Sequence, residues 1–206
     1  AGHAGIEAAL AAARMGVDTV LFTMNLDAVG NMPCNPCIGG SGKGHLVFEI
    51  DALGGEMGYA ADLVTMQSRT LNLGKGAAVH AKRVQADRAA YRKYMKSVVE
   101  KQENLRLVQA EVVRIGTETD SDGVRVSSLE TSYGDIYETE KVIVASGTYL
   151  DSTVFVGEKN FSSGPDGMLP SRGLSDCLRS LGIRLLRFKT GTPARVARRS
   201  LDMSVM

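Results

Sequence analysis

The segment of residues 1–23 constrains the fold most, because glycines, a helix-forming stretch and an apolar stretch follow one another there. Gly2 and Gly5 come directly before residues 6–14, which are rich in alanine and other good helix formers. Residues 17–23 are apolar and β-branched, as is typical of a parallel strand buried on both faces. This order predicts the helix and second strand of a βαβ nucleotide-binding unit, with Gly2 and Gly5 as the last two glycines of G-x-G-x-x-G.

A second informative segment, residues 31–45, places Cys34 and Cys37 among glycines, just before a helix predicted to begin at residue 44. Backbone N–H groups at glycines and at helix N-termini bind phosphate or carbonyl oxygens. The thiols lie near that helix end and near Lys43, an environment that favours thiolates, so the segment indicates a nucleophile or a redox pair. The alternative is a tight turn that buries inert cysteines.

Several motifs for binding phosphate, metal or ribose are incomplete. A Walker P-loop requires a glycine where the chain has Cys37 and a serine or threonine where it has Gly44. The remaining Cys and His residues show no paired spacing, so no metal site is expected. No acidic residue ends the predicted strand at the usual ribose position, and we expect Thr23 and Asn25 to bind the ribose more weakly.

Composition excludes several classes of protein. The 206 residues are 44% hydrophobic, which is enough for a sizeable core, and a net charge of +1 indicates no general attraction to nucleic acid or membranes. Apolar runs are far shorter than the roughly 20 residues that a membrane helix needs. The odd number of cysteines argues against a disulfide-rich secreted domain. We therefore expect a cytoplasmic protein with no membrane association.

The rest of the chain predicts an α/β fold. Helices are predicted at residues 44–53, 60–72, 85–102 and 174–181, and strands at residues 105–115, 124–129, 135–145 and 183–188. The middle strands read as a β-meander that leads into an apolar strand ending at Gly147. This order is that of a Rossmann-like FAD-binding domain of the glutathione-reductase type, with a central parallel sheet. Because the first strand and the first glycine would precede Ala1, we expect a fold truncated at both ends.

A set of ordered motifs resembles one family closely. The chain is similar throughout to the N-terminal part of the MnmG/GidA family of FAD-dependent enzymes, which modify the wobble uridine of tRNA. The resemblance divides the chain into an FAD-binding segment at residues 1–195 and, at residues 196–206, the start of a connection to an inserted domain. The matching motifs are Gly2-His-Ala-Gly5, Cys34-Asn-Pro, Ile38-Gly-Gly, Gly42-Lys-Gly-His-Leu46, Glu49-Ile-Asp-Ala-Leu-Gly-Gly55, Gln85-Ala-Asp-Arg88, Ser163-Gly-Pro-Asp-Gly167 and Lys189-Thr-Gly-Thr-Pro193.

The resemblance also implies a cofactor, a nucleophile and partners. Cys34 matches the proposed active-site thiol, and we expect its segment to meet the glycine loop at the same bound flavin. Family members use NADH and methylene-tetrahydrofolate, act on tRNA with an MnmE-type GTPase and form homodimers. They add an aminomethyl or carboxymethylaminomethyl group to carbon 5 of uridine, and we expect the fragment alone to be inactive. The positions that match FAD-binding residues are Ala1, Gly2, His3, Ala4, Gly5, Val112 and Ser171.

Three alternatives stay open from the sequence. A folate- and FAD-dependent tRNA uridine methyltransferase has a similar glycine loop and a similar Cys-Asn-Pro region. A non-catalytic module would only bind a nucleotide or a partner. The spacing of Cys34 and Cys37 also matches the C-x-x-C of thiol–disulfide oxidoreductases, although its position after the second strand does not match thioredoxin reductase.

Overall fold

The structure of the chain, a computed structural model, describes residues 1–33, 35–121, 123–189, 191 and 196–204. Its α-helices are α1 (His3–Arg14), α2 (Gly44–Ala52), α3 (Met57–Leu63), α4 (Arg88–Lys101) and α5 (Leu174–Ser180). Its strands are β1 (Thr19–Thr23), β2 (Cys37–Gly39), β3 (Thr65–Leu71), β4 (Ala81–Ala86), β5 (Leu105–Gln109), β6 (Val112–Asp120), β7 (Gly123–Thr131), β8 (Ile136–Glu138), β9 (Thr153–Val156) and β10 (Lys159–Ser162).

A parallel strand pair with its two preceding helices forms the centre of the fold. β1 pairs in parallel with β5, and Leu21 lies opposite Leu107 in the register. α1 buries Ile6 and Leu10 in the main core, and α4 buries Tyr91, Met95 and Val99 at helical spacing in the same cluster. The predicted helix at residues 6–14 and the predicted parallel strand at residues 17–23 are therefore confirmed.

A separate antiparallel sheet of order β2–β4–β3 lies beside α2, which in turn packs against α3. The predicted helix at residues 44–53 is confirmed as α2, but the helix predicted at residues 60–72 is wrong beyond α3. Residues 65–71 instead form β3, because their backbone pairs with β4 from Thr65 to Leu71, with a register shift between Thr65 and Gln67. Most β3 side chains are exposed, so the strand carries no apolar alternation that would identify it in the sequence.

The β-meander is confirmed in the order β6–β7–β8. The single strand predicted at residues 105–115 is two strands, because β5 belongs to the parallel pair whereas β6 pairs antiparallel with β7. Residues 141–147 were expected to form a parallel strand, but the described residues offer them no hydrogen-bonded strand neighbour. Ile143 is 71% exposed there, whereas Val142 packs against the second core cluster, formed around Ile115 and Leu174.

The last part of the chain differs in part from the prediction. Strands β9 and β10 form an antiparallel hairpin that the sequence analysis did not predict. The helix predicted at residues 174–181 is confirmed as α5, but residues 183–188 form no strand. The helix predicted at residues 85–102 begins only at Arg88, because β4 takes the residues before the N-cap Asp87. Among the described residues, no helix has the length and apolar character needed to cross a bilayer.

Asp87 caps α4, and removing its carboxylate should destabilise the fold. The side chain accepts hydrogen bonds from the backbone N–H groups of Ala89 at 2.9 Å and Ala90 at 3.0 Å. We expect Asp87→Ala to lower the free energy of unfolding by about 1 kcal/mol in chemical denaturation, because two helix N–H groups lose their acceptor. Asp87→Ser, which keeps a capping oxygen, is the control. An equal loss in both variants would contradict a capping role.

Candidate functional site

The carboxyl ends of the parallel strands and the N-terminus of α1 meet at one edge of the fold. β1 and β5 run in the same direction, so Thr23 and Gln109 end at the same edge. The backbone N–H of Ala110 donates to the Thr23 carbonyl at 2.9 Å, which keeps the ends of the two strands together. Ala1, just before α1, donates from its amino group to the Phe22 carbonyl at 3.1 Å. Open α/β sheets bind ligands at such an edge.

Gly2 and Gly5 have different surroundings, and the difference matches two separate functions. Gly2 is the N-cap of α1, and within the described residues no side chain caps this helix end. A Cβ on Gly2 would meet nothing within 4 Å, so there is open space beside the helix end that carries the orphan N–H groups. A Cβ on Gly5 would lie 3.4 Å from the Ala145 Cβ and 3.6 Å from the Leu21 Cδ1. Gly2 thus leaves room for an anion, and Gly5 lets α1 pack closely on the chain behind it.

His3 lies at the first turn of α1 against α4. Its ring contacts the Tyr91 ring with a centroid separation of 5.8 Å. Burial lowers the pKa of His3, so the imidazole is neutral near pH 7. His3 therefore adds no positive charge at the helix end, and the attraction for an anion there comes from the backbone N–H groups.

The polar groups expected to hold a ribose are engaged locally. Thr23 is buried, and its hydroxyl donates to the Asn25 carbonyl at 3.2 Å. The Asn25 side-chain oxygen accepts from the backbone N–H of Asp27 at 2.7 Å. These bonds shape the turn after β1, and the Asn25 side-chain nitrogen donates to the Met168 sulfur at 3.8 Å.

Val112 and Ser171 lie on two strand-like segments that are tied together. Val112 begins β6 and packs against the second core cluster. It follows two residues after Ala110, whose N–H group donates to the Thr23 carbonyl. Ser171 is buried and forms a parallel bridge with Leu150. The adjacent residue, Arg172, donates its backbone N–H to the Glu111 carboxylate at 2.5 Å. The fold therefore brings both sequence-predicted positions close to the end of the parallel pair.

The cysteine-containing segment is described only in part, because Cys34 lies outside the described residues. Among the described cysteines, Cys37 is a free, half-buried thiol at the start of β2. The Cys37 thiol donates to the Gln85 side-chain oxygen at 2.8 Å, and Arg83 donates to its sulfur at 3.3 Å. Gly39 follows with φ +83°, and a Cβ there would lie 2.2 Å from the Lys82 carbonyl oxygen, so only glycine fits.

A polar network that the sequence analysis missed joins three distant segments near this edge. Arg88 donates to the Asn31 side-chain oxygen at 2.7 Å and forms an ion pair with Asp166. Asn31 in turn donates to Asp166 at 3.0 Å. Burial raises the pKa of Tyr149, and a hydrogen bond to Asn31 opposes that rise. The available sequence signal was Arg88 itself, a cation in the first turn of the helix predicted at residues 85–102, where cations are disfavoured.

The different surroundings of Gly2 and Gly5 predict a split between ligand binding and stability. We expect Gly5→Val to lower the free energy of unfolding by about 1–3 kcal/mol, because its methyl groups overpack the contact with Ala145 and Leu21. We expect Gly2→Ser to leave stability nearly unchanged, because serine is a good N-cap and the space is open, but to weaken dinucleotide binding. Denaturation and ligand titration measure the two effects. Equal destabilisation by both variants would contradict the assignment.

The lowered pKa of His3 predicts a dependence of stability on pH. The unfolded chain binds a proton at His3 near its ordinary pKa of about 6.5, whereas the folded chain binds it only at lower pH. The free energy of unfolding should therefore fall as the pH drops below about 6.5 towards the folded-state pKa. We expect His3→Gln to make this fall less steep in urea denaturation across that range. An unchanged slope would show that His3 is not the group responsible.

Comparison with known proteins assigns the chain to a family. The family model described as Glucose inhibited division protein A matches residues 1–206. The chain is 55% identical over its whole length to the tRNA uridine 5-carboxymethylaminomethyl modification enzyme MnmG of Caldicellulosiruptor saccharolyticus. It is 56% identical to the enzyme of the same name from Clostridium kluyveri, again over its whole length. The chain spans 32% of the length of each of these relatives.

A solved structure of Aquifex aeolicus GidA superimposes on the chain with a TM-score of 0.87 at 50% identity. The match covers 99% of this chain and 33% of that one. The superposition supports the Rossmann-like α/β architecture. The parallel pair, the open glycine turn and the family match over every residue lead to one conclusion: the chain belongs to the Glucose inhibited division protein A (GidA) family.

Proposed function

We propose that this chain is the FAD-binding part of an enzyme that modifies carbon 5 of the tRNA wobble uridine, adding an aminomethyl or carboxymethylaminomethyl group. The observation that carries the proposal is the identity of 55–56% to enzymes named for this modification. Because the chain spans only 32% of their length, the activity belongs to the longer protein and not to this part alone.

The first turn of α1 has the chemistry that a dinucleotide pyrophosphate requires. Its N-cap is a glycine whose Cβ position is open, and within the described residues no side chain makes a capping hydrogen bond to the helix end. The backbone N–H groups at His3, Ala4 and Gly5 would donate to the pyrophosphate, with Ala1 and Gly2 forming the turn. Val112 and Ser171, at the end of the parallel pair, would hold the rest of the nucleotide. The residues present therefore fit FAD.

When bound, the flavin supplies hydride-transfer and one-carbon redox chemistry. The protein's own part is to bind, to orient and to provide a nucleophile. In this proposal Cys34 is the catalytic thiol that would act as the nucleophile towards the uracil ring. The assignment of Cys34, which lies outside the described residues, rests on the resemblance of the Cys-Asn-Pro motif.

The proposal extends to co-substrates and partners of the whole protein. The activity would draw on NADH and methylene-tetrahydrofolate in the cytoplasm, and would require an MnmE-type GTPase. The whole protein would act as a homodimer on tRNA. Residues 1–195 would form the FAD-binding segment, and residues 196–206 would begin the connection to an inserted domain.

A cysteine substitution in the full-length protein tests the proposed chemistry. In a strain lacking the gene, we expect the wild-type gene to restore the modified wobble uridine and Cys34→Ser to restore none of it, because serine is a much weaker nucleophile at neutral pH. The purified Cys34→Ser protein should keep its flavin absorbance. Mass spectrometry of tRNA nucleosides measures the first effect, and a visible spectrum measures the second.

Cys37→Ser is the matched control, because Cys37 is a neighbouring thiol whose hydrogen bonds to Gln85 and Arg83 a hydroxyl can keep in part. We expect this variant to restore the modification. Loss in both variants would favour a C-x-x-C redox pair. A deletion strain with normal wobble uridine would refute the proposed activity, and 5-methyluridine lost instead would indicate the methyltransferase.

A further inference from the structure

The network of Arg88, Asn31 and Asp166 has no assigned function in the proposal above. Its members are far apart in the sequence, yet each contacts the other two: Arg88 and Asp166 form an ion pair, and Asn31 bridges them at 2.7 and 3.0 Å. Arg88 lies on α4, Asn31 on the loop after β1, and Asp166 on a turn with φ +56°. The network therefore fixes three segments relative to one another at the site.

Arg88 occupies a position that is unfavourable in two ways. It is the first residue of α4, where the helix dipole disfavours a cation. Its Nε is also buried with no hydrogen-bond partner in the described part of the chain. Among the described residues the Nε of Arg92 is also unpartnered, so what distinguishes Arg88 is a cation kept at the helix start that joins two loops, through Asn31 and Asp166. A cation retained there at a cost to the helix indicates a requirement for these contacts.

Asn31 connects the network to the backbone of the candidate site. The preceding residue, Gly30, has φ +66° and donates its N–H to the Ala1 carbonyl at 3.0 Å. The Asn31 amide is held at both ends, since its oxygen accepts from Arg88 and its nitrogen donates to Asp166. The loop at Gly30 and Asn31 is therefore anchored twice, once to the Ala1 backbone and once to the side chains of the network. Cys34 follows three residues after Asn31 in the sequence.

We propose that Arg88 is a positioning residue for the reaction of the proposed function. Together with Asp166 it holds Asn31, and through Asn31 it sets the path of the chain that leads to Cys34. Arg88 acts through these contacts and does not bind the substrate. This inference rests on the proposed function, because the path it controls matters only if that segment performs chemistry.

The test uses the full-length protein with its flavin and compares Arg88→Met, Asn31→Ala and the double variant. Misplacing a reactive group by about 1 Å can cost on the order of a hundredfold in rate, so we expect kcat to fall at least about tenfold in each single variant. The KM for tRNA and the flavin content should change less than about threefold. The double variant should be no slower than the slower single variant, because both substitutions break the same hydrogen bond between Arg88 and Asn31.

Arg179→Met is the matched control. Arg179 also forms an ion pair with an aspartate, Asp176 at 2.6 Å, but on the exposed surface of α5. We expect this variant to keep the wild-type kcat.

A second readout does not depend on turnover. Alkylation of Cys34 by iodoacetamide, followed by peptide mass spectrometry, should change in rate by at least about threefold in Arg88→Met and not in Arg179→Met, because accessibility follows the path of the loop. If the wild-type protein modifies no uridine, the proposed function fails, while this comparison still decides whether Arg88 controls the segment.

Four results would overturn the positioning role. They are a kcat loss that only tracks lost flavin or lost folded protein, a raised KM with kcat retained, additive losses in the double variant, and an unchanged alkylation rate in Arg88→Met. The first indicates a purely structural residue, and the second a substrate contact.

Discussion

The close packing of α1 on the chain behind Gly5 is the contact on which the rest of the structure depends. A side chain larger than alanine at this position would push the helix away from Leu21 and Ala145. Because the helix lies so close, its unpaired N–H groups end at the same edge as the carboxyl ends of β1 and β5. An anion-binding helix end and a ligand-binding sheet edge are thus one place.

Polar contacts then organise the loops around this edge. The two core clusters bury the apolar faces of α1, α4 and α5, but neither contains the loop of residues 25–31 in full. Val29 of that loop is buried in the main core, and hydrogen bonds hold the residues on either side of it: Asp27 donates to Asn25, and Arg88 donates to Asn31. The bond from Arg88 is charge-assisted and directional, so it fixes the orientation of Asn31, which apolar packing leaves undetermined.

Prediction from the sequence was accurate where local pattern and tertiary environment agree. The helix-forming residues of α1, the apolar spacing of α4 and the β-branched run of β1 identified those elements, and each of the three buries side chains in the main core. It failed for β3, whose exposed side chains carry no alternation and which is a strand only because β4 pairs with it. It also failed for residues 141–147, an apolar run for which the described residues supply no hydrogen-bonded strand neighbour.

The sequence by itself determined the family, the α/β class and the glycine turn, because residue type alone limits which backbone can approach an anion or a neighbouring helix closely. Only the tertiary structure decided which residues meet: it brought Val112 and Ser171 to the end of the parallel pair, and it joined Asn31, Arg88 and Asp166. The physical reason is that hydrogen bonds and ion pairs between distant segments follow from strand pairing and helix packing, and spacing along the chain does not record them.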